Sequence, residues 1–408
     1  MKTLLIIGFV WPEPNSSAAG TRLLQIIKLF EKHQFVITFA SAASETAFMS
    51  DFSNSKIDCQ KIVLNDDSFD GFLKKLNPNY VLFDRFLTEE QYGWRVATYS
   101  PNAIRILDTE DLHFLRKARQ TAVKEQREFL HQDLFSEIAK REIASIYRCD
   151  FSLIISEFEM QLLQNVFRID ANLLHYLPFL VDKNEIIDSD TIPFSERENY
   201  IFIGNFYHQP NIDAVFYLKS SIWPVLRKQF PTAILKIFGS YIPTKIQNLH
   251  DPNEGFLIMG RAQNAHAEIQ KCKIMLAPLR YGAGLKGKLI EAMICGTPSI
   301  SSSIGAEGMN GNLPWSGAIQ DDISAFVAAA IAHYQDESLW KLSQKNGIMI
   351  LEKRFLTSKF ETAFFEKIDF VTQNLPKHRE DNFVGAMLQH HTMQSTKYLS
   401  KWIAQKNK

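Results

Sequence analysis

Short apolar runs alternate with longer amphipathic stretches along the first half of the chain. Each run is apolar at consecutive positions, which is typical of a strand that is buried on both faces of a parallel sheet. The stretches between the runs place apolar residues three and four positions apart, as in a helix with one buried face. The predicted strands are residues 4–10, 36–40, 80–83, 104–107 and 153–155, and the predicted helices are 21–31, 68–76, 89–98 and most of 111–148, the last one broken into two pieces.

The same alternation restarts after a polar segment, residues 181–198, which we interpret as a linker. The order of the elements predicts an α/β protein with two doubly wound, Rossmann-like domains, residues 1–180 and 199–372. Ligands of such sheets bind beyond the carboxyl ends of the strands, so we expect a cleft where the two domains face each other. The second domain is predicted to contain strands 200–203, 234–238, 256–259, 274–276 and 299–301, and helices 212–219, 265–270, 286–294, 321–333 and 356–371.

The final segment, residues 373–408, repeats apolar residues at helical spacing. It predicts an amphipathic helix that packs on a domain surface, and contact with a membrane surface stays open as an alternative. The apolar positions are Val384, Met387, Leu388, Tyr398, Leu399, Trp402 and Ile403.

Composition narrows the class of protein. The 408 residues include 45 basic and 45 acidic residues, so a nucleic-acid binder that works through bulk charge is not expected. The four cysteines have no metal-type or redox-type spacing, which suits a reducing compartment, and no apolar stretch approaches the ~20 residues of a membrane span. We expect a cytoplasmic protein, with peripheral contact to the inner face of the membrane as an open alternative, and composition leaves the oligomeric state undecided.

We expect no metal site. Asp188 and Asp190 have the Asp-x-Asp spacing that some enzymes use to bind a metal ion. They lie within the polar linker with no helix after them, so the spacing alone does not indicate a site.

The segment 281–291 has the composition of a diphosphate site. It follows a predicted strand and opens a helix, and its small residues let backbone N–H groups approach a ligand closely. Lys286 and Lys288 add positive charge beside the positive end of that helix, as does Arg280. Glu291, one turn into the helix, is placed to accept hydrogen bonds from ribose hydroxyls.

The chain continues as Ala-Met-Ile-Cys-Gly-Thr-Pro-Ser-Ile-Ser and, soon after, Ile-Gly-Ala-Glu-Gly. This run resembles the donor-binding domain of GT-B glycosyltransferases, above all the family 4 type, which read Gly-x-x-x-x-Glu-Ala-Met-Ala-x-Gly-x-Pro-Val-Val before a glycine loop. The resemblance implies a transferase that takes a nucleotide-diphosphate sugar as co-substrate and needs no other cofactor. It implies that Glu291 binds the donor ribose, that the amides of Ala283, Gly284 and Leu285 face the pyrophosphate or the sugar, and that residues 306–308 form the rim of the donor site.

One position departs from the family pattern. Many family 4 members carry two glutamates eight positions apart, and the first touches the donor sugar. Here Ala283 stands eight positions before Glu291. The departure leaves the donor sugar and the stereochemical outcome open.

Two further loops of the second domain follow predicted strands. By the resemblance, His208 takes the place of a basic residue that contacts the donor phosphates, and Arg261 borders the nucleobase. Asn211 is alternatively the cap of the next helix.

In the first domain, strand ends supply candidates for acceptor binding and proton transfer. Gly20 is expected to approach the donor phosphate or the acceptor, with Ser16 or Ser17 as an ordinary helix cap beside it. Transfer to a hydroxyl group requires a base in an inverting enzyme, for which a carboxylate or a histidine is suitable. The candidates for this role are Asp108, Asp111 and His113, with Asp111 alternatively a helix cap, and the acceptor-side cations are Arg22, Arg85 and Arg116.

Glycan or surface polysaccharide synthesis is the expected setting, with the glycan, lipid-linked or protein acceptor unidentified. Two other functions remain open: a nucleotide-sugar epimerase with the same fold, and a non-catalytic nucleotide-sugar scaffold. Ala283 favours the scaffold, whereas the cluster of Lys286, Lys288 and Glu291 favours chemistry.

Overall fold

The computed structural model describes residues 2–52, 55–186 and 192–407. For residues 391–393 it describes the backbone alone. The first of its two sheets is parallel throughout, and its strand order β3-β2-β1-β4-β5-β6-β7 is that of a doubly wound fold. Its strands are β1 (Thr3–Gly8), β2 (Val36–Ser41), β3 (Asp58–Lys61), β4 (Tyr80–Asp84), β5 (Ile104–Asp108), β6 (Phe151–Ile154) and β7 (Leu174–Tyr176).

The second sheet repeats this plan with six parallel strands in the order β10-β9-β8-β11-β12-β13. The two sheets with their flanking helices confirm the predicted α/β class and GT-B-like layout. The strands are β8 (Glu198–Ile203), β9 (Leu235–Phe238), β10 (Phe256–Gly260), β11 (Cys272–Ala277), β12 (Ser299–Ser301) and β13 (Gly317–Ile319).

Seventeen α-helices occur among the described residues, most of them in the connections between strands. The first unit contains α1 (Ala18–Lys32), α2 (Ser68–Leu76), α3 (Arg85–Tyr99), α4 (His113–Lys124), α5 (Glu137–Arg148) and α6 (Glu157–Asn165). The remaining helices are α7 (Gln209–Tyr217), α8 (Trp223–Gln229), α9 (Thr244–Gln247), α10 (Ala265–Lys271), α11 (Gly287–Ile294), α12 (Ser303–Ala306), α13 (Ile323–Gln335), α14 (Glu337–Arg354), α15 (Thr357–Gln373), α16 (Leu375–Asp381) and α17 (Phe383–Lys406).

Burial on both faces explains why the central strands are apolar at consecutive positions. In β1, Leu5 and Ile7 pack into one apolar cluster, while Leu4 and Ile6 pack into another on the opposite face. Each strand therefore contributes side chains to two cores. The second sheet has the same arrangement.

The helical packing moves one predicted domain boundary. Phe364, Phe365 and Ile368 of α15 lie in the apolar cluster of β1 and α1, so residues 357–373 belong to the first unit and not to the second. The two connections between the units are hydrogen-bonded to each other, because the Val181 N–H donates to Phe355 O at 2.8 Å. The predicted linker thus begins beside the segment in which the chain returns from the second unit to the first. Asp188 and Asp190 lie outside the described residues.

The C-terminal segment forms the predicted helix. It packs as α17 against α3 and α5 of the first unit. Asn382 Nδ2 donates to Tyr147 O at 2.7 Å and Gln389 Nε2 donates to Arg148 O at 2.9 Å, so polar contacts hold its first half in place.

Candidate active site

A cavity of about 1030 Å³ lies between the carboxyl edges of the two sheets, as predicted. Loops after β1, β4 and β5 form one wall, and loops after β8, β9 and β11 form the other. Its volume is at the upper end of the range for sites that bind drug-sized ligands, which suits a bulky co-substrate such as a nucleotide sugar.

The loop between β11 and α11 closes tightly on the first unit at Gly284. The residue has a φ of +60°, and a Cβ added there would lie 2.8 Å from the Cβ of Asp111. Its N–H donates to Glu159 Oε1 at 2.8 Å. The Gly284 amide is therefore occupied by protein, and the structure does not place it free for a pyrophosphate as the resemblance implied.

Glu159 connects the two units through one carboxylate oxygen. The same Oε1 accepts the Leu112 N–H at 3.0 Å, just before α4. Burial raises the pKa of Glu159 to about 7, although these two backbone donors act to lower it. Because the oxygen holds both segments, Glu159 fixes the donor-side loop relative to the acceptor-side loop.

Lys286 and Lys288 both line the cavity. Lys286 Nζ donates to Gly284 O at 2.8 Å, and Lys288 Nζ donates to Asn211 Oδ1 at 2.6 Å. Burial lowers the pKa of Lys286 to about 8 and the pKa of Lys288 to about 7. An anion bound beside them would favour their charged forms and raise both pKa values.

Arg280 is directed elsewhere. Its Nε donates to Asp213 Oδ2 at 2.9 Å, and it is absent from the cavity lining. On the donor side of the cavity, the N-terminus of α11, Lys286 and Lys288 supply positive charge together with Arg261.

Glu291 lines the same cavity one turn into α11. Burial raises its pKa to about 7, and the nearby Lys288 opposes this shift. A carboxylate one helical turn beyond a phosphate-binding helix N-terminus is suitably placed to accept hydrogen bonds from ribose hydroxyls.

A polar cluster on the opposite wall joins side chains from both units. Asp111 pairs with Arg116 and lies 3.5 Å from His113 Nε2. Burial acts to raise the pKa of Asp111, but Arg116, His113 and His208 outweigh it and hold that pKa below its ordinary value. Desolvation lowers the pKa of His113 to about 4 and the pKa of His208 to about 3, so both imidazoles are neutral at pH 7.

Residues 197–336 match the family described as glycosyl transferases group 1. The chain carries a group 1 glycosyltransferase domain in a GT-B fold. The match covers β8 to α13, which includes the whole donor-side wall of the cavity.

Other similarities are more distant in sequence. An uncharacterized 44.6 kDa protein from the cps region of Klebsiella pneumoniae is 22% identical over 307 residues, 72% of this chain and 75% of that protein. Sucrose-phosphate synthase from Thermosynechococcus elongatus superposes with a TM-score of 0.67 at 14% identity, over 91% of this chain and 99% of that one. Anabaena HepE in complex with UDP and glucose has a TM-score of 0.64 at 12% identity, over 90% and 100% of the two chains. WaaG, a glycosyltransferase involved in lipopolysaccharide biosynthesis, has a TM-score of 0.61 at 11% identity, over 88% and 98%.

The structure places Asp108 and Arg22 beneath the cleft of the glycosyltransferase. Both side chains are shielded from solvent, and neither lines the cavity. Arg22 Nη2 donates to Asp108 Oδ1 at 2.8 Å, and its Nη1 donates to Leu177 O at 2.7 Å. This placement supports neither Asp108 as the base nor Arg22 as an acceptor-side cation, because a strand-end carboxylate directed into the core has no access to a substrate.

Gly20 and Arg261 line the cavity, whereas Gly284 and residues 306–308 are absent from its lining. Gly20 packs so closely that an added Cβ would lie 2.6 Å from the Glu13 backbone, and its N–H is taken by the Ser17 cap at 3.0 Å. The Arg261 guanidinium lies 4.2 Å from the centre of the Phe48 ring, and its Nε is buried without a hydrogen-bond partner in the described residues. Leu285, Arg85 and Arg116 are also in the lining.

The three capping alternatives resolve differently. Ser17 caps α1, as expected, but Asn211 does not cap α7. The Asn211 side chain instead accepts from Lys288 and donates to Asn205 O at 2.8 Å. Asp111 is not a cap either, since α4 begins at His113 after Leu112.

Sequence reasoning missed three residues of the lining. Tyr207 and Tyr241 stack with ring centroids 4.1 Å apart beside Arg261, and Glu110 lies between two candidates that were chosen. Glu110 could have been chosen from the sequence, because it stands between Asp108 and Asp111 in a short acidic run. Nothing in the sequence signals the tyrosine pair, because the two rings come from different loops.

The part of the chain that the structure describes contains no group of three or more His, Cys, Asp or Glu side chains able to hold a metal ion. Over the same residues, no helix has both the length and the apolar character needed to cross a bilayer.

We expect Glu291→Ala to weaken binding of the nucleoside diphosphate by about ten- to a hundredfold, because hydrogen bonds to a charged group are lost inside a cavity. Calorimetric titration of the purified protein measures this directly. The matched control is Glu352→Ala, an exposed glutamate on α14 that should leave the affinity unchanged. Equal affinities of the Glu291 variant and the wild type would remove Glu291 from the site.

Proposed function

We propose that this glycosyltransferase moves a sugar from a nucleoside-diphosphate sugar to a hydroxyl group of a growing surface polysaccharide. The observation that carries the proposal is the meeting of two chemically different walls in one cavity. Lys286, Lys288 and Glu291 form the donor wall, while Asp111 and His113 form the acceptor wall.

Charge development favours this assignment of the walls. As the bond between the anomeric carbon and the β-phosphate oxygen breaks, negative charge grows on the leaving diphosphate. The N-terminus of α11 and the two buried lysines are fixed beside that position, so they stabilise the charge without rearrangement. The acceptor oxygen forms the new bond to the anomeric carbon and gives up its proton.

The acceptor wall is suited to hold or receive that proton. His113 is neutral at pH 7, and its Nε2 lies 3.5 Å from the ionised Asp111. A neutral imidazole beside a carboxylate can accept a proton and is stabilised once it is charged. His208, on the donor side of the same cluster, is also neutral.

The close packing of the two units favours transfer of the sugar to an acceptor over hydrolysis of the donor. Arg119 of the first unit pairs with Glu307 of the second at 2.7 Å and also donates to Gly282 O at 2.9 Å. Together with Glu159 these contacts hold the donor loop against the acceptor wall. Such closure excludes water that would hydrolyse the donor.

The relatives indicate a setting and a first nucleotide to test. The cps-region protein of Klebsiella points to capsule synthesis, and several structural neighbours were solved with UDP. The test is incorporation of radiolabel from a panel of UDP-, GDP- and dTDP-sugars into polysaccharide supplied by a cell-envelope extract. Label in the polymer that depends on the enzyme supports the proposal, whereas sugar conversion without any extract would indicate an epimerase.

We expect a chelator to leave transfer intact, because the lysines and the helix N-terminus would supply the positive charge that a metal supplies elsewhere. The measurement is the initial rate with EDTA against added Mg²⁺ or Mn²⁺. A rate that falls to background with EDTA and returns with Mn²⁺ would contradict this.

We further propose that α17 rests on an anionic membrane surface. Its outward face is apolar, with Phe383, Met387, Tyr398, Leu399 and Trp402 each at least half exposed. The last 27 residues contain four lysines and no acidic residue. Apolar side chains flanked by lysines, with tryptophan and tyrosine among them, are typical of helices that lie in the interface of anionic lipids.

Replacing Tyr398 and Trp402 together with alanine should reduce binding to phosphatidylglycerol vesicles by about tenfold or more, since two interfacial anchors are lost. Co-sedimentation measures the bound fraction, with phosphatidylcholine vesicles for comparison. Phe370→Ala on α15, another exposed aromatic position, is the control. Undiminished sedimentation of the double variant would argue against a membrane role for α17.

A further inference from the structure

Two adjacent strand ends in the first sheet carry residues with left-handed backbone. Arg85, directly after β4, has a φ of +72°, and Glu110, two residues after β5, has a φ of +62°. Strands β4 and β5 are neighbours in the sheet, with Asp84 opposite Asp108. Residues other than glycine rarely adopt this conformation, and such strain clusters where a side chain must be held in one direction for binding.

The carboxylates at these strand ends have unused oxygens. Asp84 Oδ2 accepts the Phe9 N–H at 3.0 Å, but Asp84 Oδ1 and Glu110 Oε1 are shielded from solvent and have no hydrogen-bond partner among the described residues. Arg85 Nε lies 3.7 Å from Asp84 Oδ1, which is beyond a good hydrogen bond. Asp84, Arg85 and Glu110 all line the cavity. Buried polar atoms are nearly always paired with protein or water, so these two oxygens are candidates for pairing with a ligand that enters the cavity.

The chemistry of the three side chains selects a ligand class. An ionised carboxyl group repels a phosphate or a carboxylate, and a protonated one offers it only a single donor, so the pair disfavours an anionic ligand despite Arg85. Adjacent hydroxyl groups of a sugar fit well, because each can donate a hydrogen bond to a carboxylate oxygen and accept one from another group. The Arg85 guanidinium supplies such donors. Burial and the nearby Asp108 raise the pKa of Glu110 to about 8 against the opposing effects of Arg85 and Arg22, so at pH 7 its carboxyl group can also donate.

We propose that Asp84, Arg85 and Glu110 form a subsite that binds adjacent hydroxyl groups of the acceptor sugar, with Glu110 as the residue that selects them. This rests on the proposed function, in which the first unit holds the acceptor. It gives Arg85, which was predicted as an acceptor-side cation, hydroxyl groups as its partners. The subsite is next to Asp111 in the chain, so a sugar bound there lies beside the proposed acid–base cluster.

The experiment uses simple glycosides as probes because it needs no natural acceptor. Saturation-transfer NMR is recorded on the full chain with UDP and a panel of methyl pyranosides, with inorganic phosphate as competitor. We expect signal from one or more pyranosides, no competition by phosphate, and at least about tenfold weaker binding in Glu110→Gln and Asp84→Asn. The control Glu128→Gln, an exposed glutamate outside the cavity lining, should bind like the wild type.

A second variant separates loss of the ligand from loss of the fold. Glu110→Gly removes the carboxyl group and suits the left-handed backbone, so it should be at least as stable to heat as the wild type while losing the pyranoside signal. Unchanged pyranoside binding in the Gln and Gly variants, absence of any pyranoside signal in the wild type, or displacement by phosphate would overturn the subsite. Calorimetry of UDP, GDP and dTDP on the same samples reports the donor site. Intact nucleotide binding with no pyranoside signal rejects the subsite alone, whereas a wild type that binds none of the three nucleotides and no pyranoside rejects the proposed function.

Discussion

Replacing Lys286 with alanine is expected to lower the turnover of sugar transfer by about a hundred- to a thousandfold, the usual cost of removing one fixed donor from a developing oxyanion. Lys286 Nζ is buried at the start of α11, where it is held by Gly284 O at 2.8 Å. In the proposed reaction this charge lies near the leaving diphosphate, and closure of the cleft keeps water from taking its place. Initial rates at saturating donor measure the effect on turnover.

Two further variants sharpen this test. Lys271→Ala removes an exposed lysine that pairs with Glu268 at 2.7 Å, and transfer should be unaffected. Lys286→Arg keeps the charge but not the geometry, and it should recover only part of the rate. Turnover of Lys286→Ala within a few-fold of the wild type would contradict the assignment of the phosphate site.

Asp108→Ala is expected to lower the free energy of unfolding by about 3–5 kcal/mol, because it leaves the Arg22 guanidinium buried without its counter-ion. Arg22 is 1% exposed, so its charge has no route to solvent. Urea denaturation followed by circular dichroism measures the change.

The control for this effect removes both charges. The double variant Arg22→Met with Asp108→Leu should regain much of the lost stability, since a buried ion pair can often be replaced by apolar side chains of similar size. Lys140→Ala breaks an exposed pair with Glu137 and should change stability little. An Asp108→Ala variant as stable as the wild type but inactive would restore Asp108 as a candidate base.

The sheets were predictable where burial acts on consecutive residues. Every central strand was found because both of its faces are covered. The edge strands β3, β7 and β13 were missed. Asp58–Lys61 is exposed throughout, and Leu174–Tyr176 and Gly317–Ile319 are short and only partly covered. Without a buried face, such strands leave no apolar pattern.

The donor wall was predictable because it is local in sequence. Lys286, Lys288 and Glu291 lie within six residues, and one helix start sets their positions. The acceptor wall depends on distant contacts: Glu159 reaches Gly284, 125 residues away, and α15 returns to the first sheet.

The carboxylates at the strand ends show most clearly what the sequence does not predict. Asp108, Glu110 and Asp111 are close neighbours in sequence, yet Asp108 points into the core while the other two line the cavity. The turn after β5 decides this, through the left-handed backbone of Glu110. Composition and spacing carry no signal for that turn.

The central claim is that the cleft grips a nucleoside diphosphate between α11 and the acceptor wall. A crystal structure with the tightest-binding nucleoside diphosphate tests this most directly. We expect the β-phosphate within about 3 Å of Lys286 Nζ or of the first amides of α11, and ribose hydroxyls donating to Glu291. A nucleotide bound outside this cavity, or bound inside it with its phosphates away from Lys286, would contradict the account.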